Sequence, residues 1–249
     1  MRNIIIPLFI LILIVNYAMA QPNEEIKLRS MPLLNRFESS EYGGGIQNWS
    51  FDQDSSGFLY VANNEGLLEF DGNRWTRYNV PNCTKVRAVL VDDENRIFVG
   101  GQGQIGYYKM TETGLKFHSL IEQLPGESQN ISEVWKIIQF QDNLYFVTES
   151  QLLVYDNTSL KTVNVPGFMR LAYLIDDRFL FSLYGEGMFE IVNDKFIHIS
   201  GTKNIPDVVS VVPSSDDNFY YFCSKGEVFK GNPSKRVVKI EMPEFIGLI

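Results

Sequence analysis

Histidine is nearly missing from this chain: among 249 residues only His118 and His198 occur. They sit at matching points of two distant segments, Leu115-Lys116-Phe117-His118 and Lys195-Phe196-Ile197-His198, so a zinc site or a histidine-based nucleophilic triad is without support. Cysteine is as scarce, with Cys83 and Cys223 alone, too few for a disulfide framework even in an oxidising compartment. The expectation is two unpaired thiols. No run of Lys and Arg reaches four residues and the net charge is -8, so direct nucleic-acid binding is excluded by repulsion from phosphate backbones. No stretch sustains a 3.6-residue apolar period, although 120–124 could form one helical turn.

What is present starts with a secretory pattern. Arg2 supplies a positive end, residues 4–15 an apolar core, and Ala18-Met19-Ala20 a small-x-small cleavage site. The apolar run falls below the roughly 20 residues that span a bilayer. Residues 1–20 therefore read as a cleaved signal peptide, with the mature chain starting at Gln21 outside the cytoplasm. No cysteine lies beside the cut to carry a lipid. With 45% hydrophobic residues the rest can build a sizeable core.

A repeat organises that core. Short aromatic runs, each followed by a turn and a second apolar run, recur at Tyr60, Phe98, Tyr145, Phe181 and Tyr220, in steps of 38, 47, 36 and 39 residues. Moving the anchor to Leu67, Ile105, Leu152 and Met188 returns the same first three steps. In the clearest copy, four strands are expected over 49–53, 58–62, 66–70 and 74–80, with Asp54-Ser55-Ser56-Gly57, Asn63-Asn64-Glu65 and Asp71-Gly72-Asn73 as the turns. The middle strands are apolar on both faces and need cover on both sides. Radial stacking supplies it, so the expected fold is all-β, a β-propeller of four-stranded antiparallel blades. Five blades are visible, at about 48–80, 86–120, 134–165, 170–199 and 207–241 within a propeller region 48–249, after a lead-in at 21–47 whose Gly43-Gly44-Gly45 marks a turn or close approach. A piece of a larger ring is expected, with a complete five-bladed ring as the alternative.

Binding residues are sought where first strands begin, because in a propeller these line the channel. Trp49, Arg87, Trp135 and Arg170 stand there in successive blades, and Asn64 and Gln102 fall in second-to-third-strand loops on the same face, with Glu149 and Tyr184. Indole faces stack on sugars and arginine forks grip carboxylates or sulfates. The other reading, left open here, is that the tryptophans pack between blades and the arginines pair with neighbouring acids. The carboxylate pairs Asp92-Asp93, Asp176-Asp177 and Asp216-Asp217 all fall at first-to-second-strand turns, where Asp serves the turn. Gly100-Gly101-Gln102-Gly103 lies between two strands and is no phosphate loop. No catalytic constellation, metal site or cofactor site is expected.

The stretch Tyr42-Gly43-Gly44-Gly45-Ile46-Gln47-Asn48-Trp49, followed by Asn63-Asn64-Glu65-Gly66-Leu67-Leu68-Glu69-Phe70-Asp71-Gly72 and Trp75, resembles the opening blade of the two-component-regulator propeller family. Arg96-Ile97-Phe98-Val99-Gly100-Gly101-Gln102 and Val134-Trp135-Lys136-Ile137 continue the likeness, which covers roughly residues 35–240 and is strongest in the first two blades. In that family a periplasmic propeller precedes a triple-tyrosine domain, a membrane helix and a histidine kinase or helix-turn-helix output. The resemblance implies the extracytoplasmic sensory domain of a membrane signalling receptor controlling transcription, its kinase activity and membrane tether, if any, lying beyond Ile249. Some relatives respond to breakdown products of complex carbohydrates, so the expected partner is a small molecule or glycan fragment, and the arrangement leaves room for a homodimer. A non-catalytic interaction scaffold, and after it a secreted propeller lyase or glycosidase, are the alternatives.

Overall fold

The computed structural model describes residues 34–82, 85–192, 195–216, 218–232 and 237–241. The signal peptide expected at 1–20, the first part of the lead-in, Cys83 and Asp217 lie outside the described residues.

Twenty strands form five four-stranded sheets, each a meander with its strands in chain order. Blade 1 holds β1 (Asn48–Gln53), β2 (Leu59–Asn63), β3 (Gly66–Phe70) and β4 (Trp75–Tyr78). Blade 2 holds β5 (Val86–Val91), β6 (Ile97–Gly101), β7 (Gln104–Thr111) and β8 (Gly114–Ser119). Blade 3 holds β9 (Lys136–Phe140), β10 (Asn143–Val147), β11 (Gln151–Tyr155) and β12 (Leu160–Asn164). Blade 4 holds β13 (Met169–Ile175), β14 (Arg178–Leu183), β15 (Gly187–Val192) and β16 (Lys195–His198). Blade 5 holds β17 (Val208–Pro213), β18 (Phe219–Cys223), β19 (Val228–Gly231) and β20 (Val238–Ile240). Every neighbouring pair is antiparallel. The fold is the β-propeller that the forty-residue repeat implies.

The turns form for the reasons the sequence suggests. Asp54 Oδ1 accepts from the backbone N–H groups of Ser56 and Phe58, both at 2.9 Å. Asp92 Oδ1 does the same for Glu94 and Arg96. Asp176 and Asp177, with φ of 48° and 58°, are the two central residues of the β13–β14 hairpin, a conformation Asp tolerates better than most side chains. The Asp54 and Asp92 carboxylates thus bind their own turns.

Alternation along the middle strands feeds a hydrophobic seam on each side of a blade. Tyr60, Leu67, Val89 and Tyr108 share the seam of blades 1 and 2, and Phe98, Ile105, Val134 and Phe146 that of blades 2 and 3. Tyr145, Leu152, Phe179 and Phe181 fill the next, and Leu180, Met188, Val211 and Tyr221 the last. Phe146 and Tyr145, adjacent on β10, thus serve opposite seams, which is why both faces of that strand had to be apolar. Each such side chain contributes about 1.5–3 kcal/mol on burial. The long step between blades 2 and 3 is taken up by two 3-10 turns, Ile121–Gln123 and Gly126–Gln129, whose neighbours Leu124 and Ile131 also enter the second seam.

Inner strands touch in succession: β1 with β5, β5 with β9, β9 with β13 and β13 with β17. Among the described residues no contact of that extent joins β17 to β1.

The lead-in holds a feature that sequence periodicity does not show. A single helical turn, α1 (Ser39–Tyr42), starts at a capping box in which Glu38 N–H donates to Glu41 Oε2 at 2.6 Å, and ends at Gly43 in the left-handed region. Phe37 and Tyr42 meet Trp75 with ring centroids 5.5 and 5.8 Å apart, and Trp75 stacks on Phe70 at 4.7 Å. Trp75 is a packing residue. Asn63, fully buried, fixes the segment by donating to Gly45 O and Asn48 Oδ1, both at 2.7 Å, and accepting from Gly45 N at 2.8 Å. A Cβ on Gly44 would lie 2.9 Å from the Asn63 oxygen, so the approach requires glycine.

Candidate functional site

In four blades the innermost strand carries a bulge near its start, and the extra residue is one of those singled out above or its counterpart. Asn48 pairs with Asn63 and Ser50 with Ala62, leaving Trp49 as the extra residue of β1. Arg87 is the extra residue of β5, between Val86 and Ala88; Arg170 that of β13, between Met169 and Leu171; Val209 that of β17, between Val208 and Ser210. Trp135 stands immediately before β9, its N–H donating to Val147 O at 2.9 Å, and occupies the same place in blade 3. A bulge leaves one residue unpaired and re-aims its side chain. Here it acts in blades 1, 2, 4 and 5, and the preceding residue is a buried anchor in blades 2 to 5 (Val86, Val134, Met169, Val208), whereas Asn48 in blade 1 is exposed. The result is a run Trp49–Arg87–Trp135–Arg170–Val209 across the start of the inner strands, the mouth of the arrangement.

The first half of this run is closed on itself. The Arg87 guanidinium lies between two indoles, its Cζ 4.0 Å from the Trp49 ring centre and 4.4 Å from that of Trp135. Arg87 Nη2 donates to Glu133 Oε1 at 3.0 Å, and Nε lies 2.8 Å from Oε2 in ion-pair contact without hydrogen-bond alignment. Nη1 is buried with no hydrogen-bond partner among the described residues. Trp49 Nε1 donates to Asn64 Oδ1 at 2.8 Å, and the Asn64 amide donates on to Gln47 Oε1 at 2.8 Å. Arg87 is 9% exposed, while Trp49 and Trp135 keep 39% and 42% of their surface open. Desolvated cation–π contacts of this kind contribute about 2 kcal/mol. The arginine thus pairs with an acid and lies between two indoles, while both indoles keep part of their surface open.

The second half is open. Trp135, Glu149, Met169, Arg170, Leu171 and Val209 line a cleft of 370 Å³, and a further hollow of 180 Å³ shares Glu149, Met169 and Arg170 with it and adds Phe168 and Tyr184. Phe168 and Tyr184 are 68% and 69% exposed. Arg170 has one ion partner, Asp207, at 3.5 Å from its Nε, and no hydrogen bond within the described protein. Trp135, common to both halves, joins them.

Of the residues expected at the site, Trp49, Asn64, Arg87 and Trp135 are brought into one network, and Arg170 joins through the cleft it shares with Trp135. Gln102 sits exposed in the β6–β7 turn, its N–H donating to Lys85 O at 3.3 Å, and among the described residues no hydrogen bond joins its side chain to the others. Glu133, Phe168 and Val209 were not singled out by sequence. Val209 and Arg170 share a frame position with Trp49, so counting from the paired residue of each inner strand would have found Val209; Glu133 precedes its strand with no turn or repeat signal.

Elsewhere the ionisable groups serve packing. His118 stacks on Tyr107 at 5.0 Å on the outer strand β8, and His198 meets Phe189 edge-on from β16. Cys223 is a free, buried thiol, pushed up to about 11 by burial first and then by Glu227 and Asp207, and so stays protonated at neutral pH. Glu69, buried in blade 1 beside the first seam, accepts from the Tyr78 hydroxyl at 3.3 Å on Oε1, while Oε2 has no hydrogen-bond partner among the described residues. Burial raises its pKa, the Tyr78 hydrogen bond opposing. Among the described residues no helix is long and apolar enough to cross a membrane.

No protein-family model and no curated protein matches the chain. Solved structures do. The extracellular domain of a putative hybrid two component system from B. thetaiotaomicron superposes with a TM-score of 0.60 at 16% identity, over 80% of this chain and 30% of that one. The extracellular domain of a putative one component system from the same organism gives 0.58 at 18%, over 77% of this chain and 27% of that one. Virginiamycin B lyase from Staphylococcus aureus gives 0.57 at 12%, over 83% and 73%. The family resemblance read from the first two blades implied neighbours of the first kind, and they are present beside an enzyme of the same architecture. At these identities the likeness is one of fold, and what it establishes is that this chain is a β-propeller of four-stranded blades, similar to extracellular domains of bacterial signalling systems and to a lyase alike.

Proposed function

We propose that this propeller is an extracytoplasmic sensory domain of a bacterial signal-transduction receptor, binding a small ligand at its mouth without transforming it. The observation that carries the reading is a shared position at the start of the inner strands, a bulge residue in blades 1, 2 and 4 and the residue just before β9 in blade 3, which brings an aromatic or guanidinium side chain from each of four successive blades to one end of the inner strands. Aromatic faces, a guanidinium and an open cleft are the equipment of recognition. The histidines, by contrast, stand on outer strands in ring contacts, Asp92 binds the backbone of its own turn, and Asp176 and Asp177 are the central residues of a hairpin.

The ligand is a glycan fragment in this reading. Its ring stacks on Trp135, its polar groups meet Arg170, and Trp49, Arg87 and Asn64 hold Trp135 in place. The fold likeness to extracellular domains of signalling systems supports both the sensory role and the location outside the cytoplasm. Titration calorimetry of the full chain against a panel of neutral and acidic oligosaccharide fragments tests it. Saturable binding that Trp135→Ala and Arg170→Ala each weaken at least ten-fold, with the circular dichroism of the folded protein retained, is the expected result. Binding that neither substitution changes, or a silent panel, overturns it.

A further inference from the structure

The open half of the mouth has a charge pattern that a neutral ring does not use. Arg170 presents its guanidinium with 52% of the side chain exposed, and its one partner, Asp207, lies at 3.5 Å, longer than the roughly 2.7–2.9 Å of a charge-assisted hydrogen bond. Across the same cleft Glu149 is exposed, and its carboxylate has no ion pair or hydrogen bond among the described residues. The indole N–H of Trp135 and the hydroxyl of Tyr184 are likewise without protein partners there. Every other arginine at the mouth is committed, since Arg87 belongs to Glu133 and the two indoles.

These groups discriminate among ligand charges. A simple anion on Arg170 competes with Asp207 for the guanidinium and shares the cleft with the Glu149 carboxylate. A simple cation on Glu149 leaves the guanidinium exposed and underused. A molecule carrying both charges answers both walls: its carboxylate takes the fork of Arg170, and its ammonium lies against Glu149 and over the exposed aromatic faces, which attract cations. The cleft volume of 370 Å³ suits one ring or an amino acid with a large side chain.

We propose that this cleft selects a ring-sized zwitterion, its carboxylate on Arg170 and its ammonium on Glu149 and the Trp135 face. The proposal rests on the ligand-binding reading above and narrows it. Two sources share the chemistry: an amino sugar acid and an aromatic α-amino acid.

Calorimetry of the full chain with four probes tests it: muramic acid and phenylalanine carry both charges, N-acetylmuramic acid lacks the ammonium, and glucosamine lacks the carboxylate. Muramic acid or phenylalanine binding at least ten-fold tighter than both single-charge probes is expected, and whichever of the two binds identifies the source. Glu149→Gln abolishes the preference over N-acetylmuramic acid, and Arg170→Gln the preference over glucosamine; both replace exposed side chains, so the fold is retained. N-acetylmuramic acid or glucosamine binding as well as the zwitterions, or none of the four binding, overturns the proposal. If the oligosaccharide panel still binds through Trp135 in that case, only the zwitterion fails; if that panel is silent too, the ligand-binding reading falls with it.

Discussion

Trp49, Arg87 and Trp135 on one side of the mouth and Arg170 on the other stand at equivalent places in successive blades, with Glu149 and Tyr184 joining Arg170 from second-to-third-strand loops, yet the polar atoms of the two sides have different fates. In the first group the guanidinium is paired with the Glu133 carboxylate and held between two indoles, and the Trp49 indole N–H donates to Asn64. In the second, a guanidinium and a carboxylate face a common cleft without pairing. One device, the bulge of the inner strand, therefore yields a wedge where the neighbouring blade offers an acid and aromatic rings, and a recognition surface where it offers an open floor. The difference lies in the neighbours rather than in the frame.

Substitutions break this comparison in a definite order. Arg87→Ala removes a buried guanidinium and leaves the part-exposed Glu133 carboxylate and two indoles without their partner, so chemical denaturation should show a loss of about 3 kcal/mol. Trp49→Ala removes one cation–π face and the bond to Asn64, for a loss of about 2 kcal/mol in the same assay. On the open side Arg170→Gln and Tyr184→Ala should each leave stability within about 0.5 kcal/mol of the parent, because exposed groups with weak partners carry little of it. An Arg170→Gln loss as large as that of Arg87→Ala would remove the distinction between the halves.

A pH series adds a control from the seam behind the closed half. Burial raises the pKa of Glu69 in the folded chain, so the native state holds that proton more tightly than the unfolded one. The contribution of Glu69 to stability is complete below the ordinary carboxylate pKa of roughly 4.3 and is lost as pH rises through the raised native value. Glu69→Gln, which keeps an acceptor for the Tyr78 hydroxyl, should flatten that part of the denaturation-midpoint profile. An unchanged profile would mean the carboxyl is not desolvated as the structure has it.

Much of the fold was legible because it is periodic. The forty-residue frame gave the blades, and Asp-Gly and Asn-rich turns gave the hairpins, since those residues act locally through their own side chains. The site was legible to the extent that it repeats. Trp49, Arg87, Trp135 and Arg170 were found because they stand at one phase of the repeat. Sequence could not say that Arg87 would be enclosed and Arg170 open, because that depends on Glu133, in an irregular link, and on which rings the adjacent blade brings near. Gln102 lay in a loop of the right kind, but among the described residues no hydrogen bond joins its side chain to the others, a matter of side-chain direction that spacing does not encode. The single turn α1 escaped notice because four residues are too few for a helical period; what holds it is tertiary, Phe37 and Tyr42 on Trp75 and the amide of Asn63.

The division of the mouth is tested most directly by the side-chain Nε–H resonances of Arg87 and Arg170 in a nitrogen-15-labelled sample, assigned with Arg170→Gln and followed while muramic acid and then phenylalanine are added. Arg170 Nε–H should shift with saturation by at least one of them while Arg87 Nε–H, held against Glu133 and between two indoles, stays in place. Movement of Arg87 with Arg170 unmoved, or no movement of either, would contradict the assignment of binding to the open half.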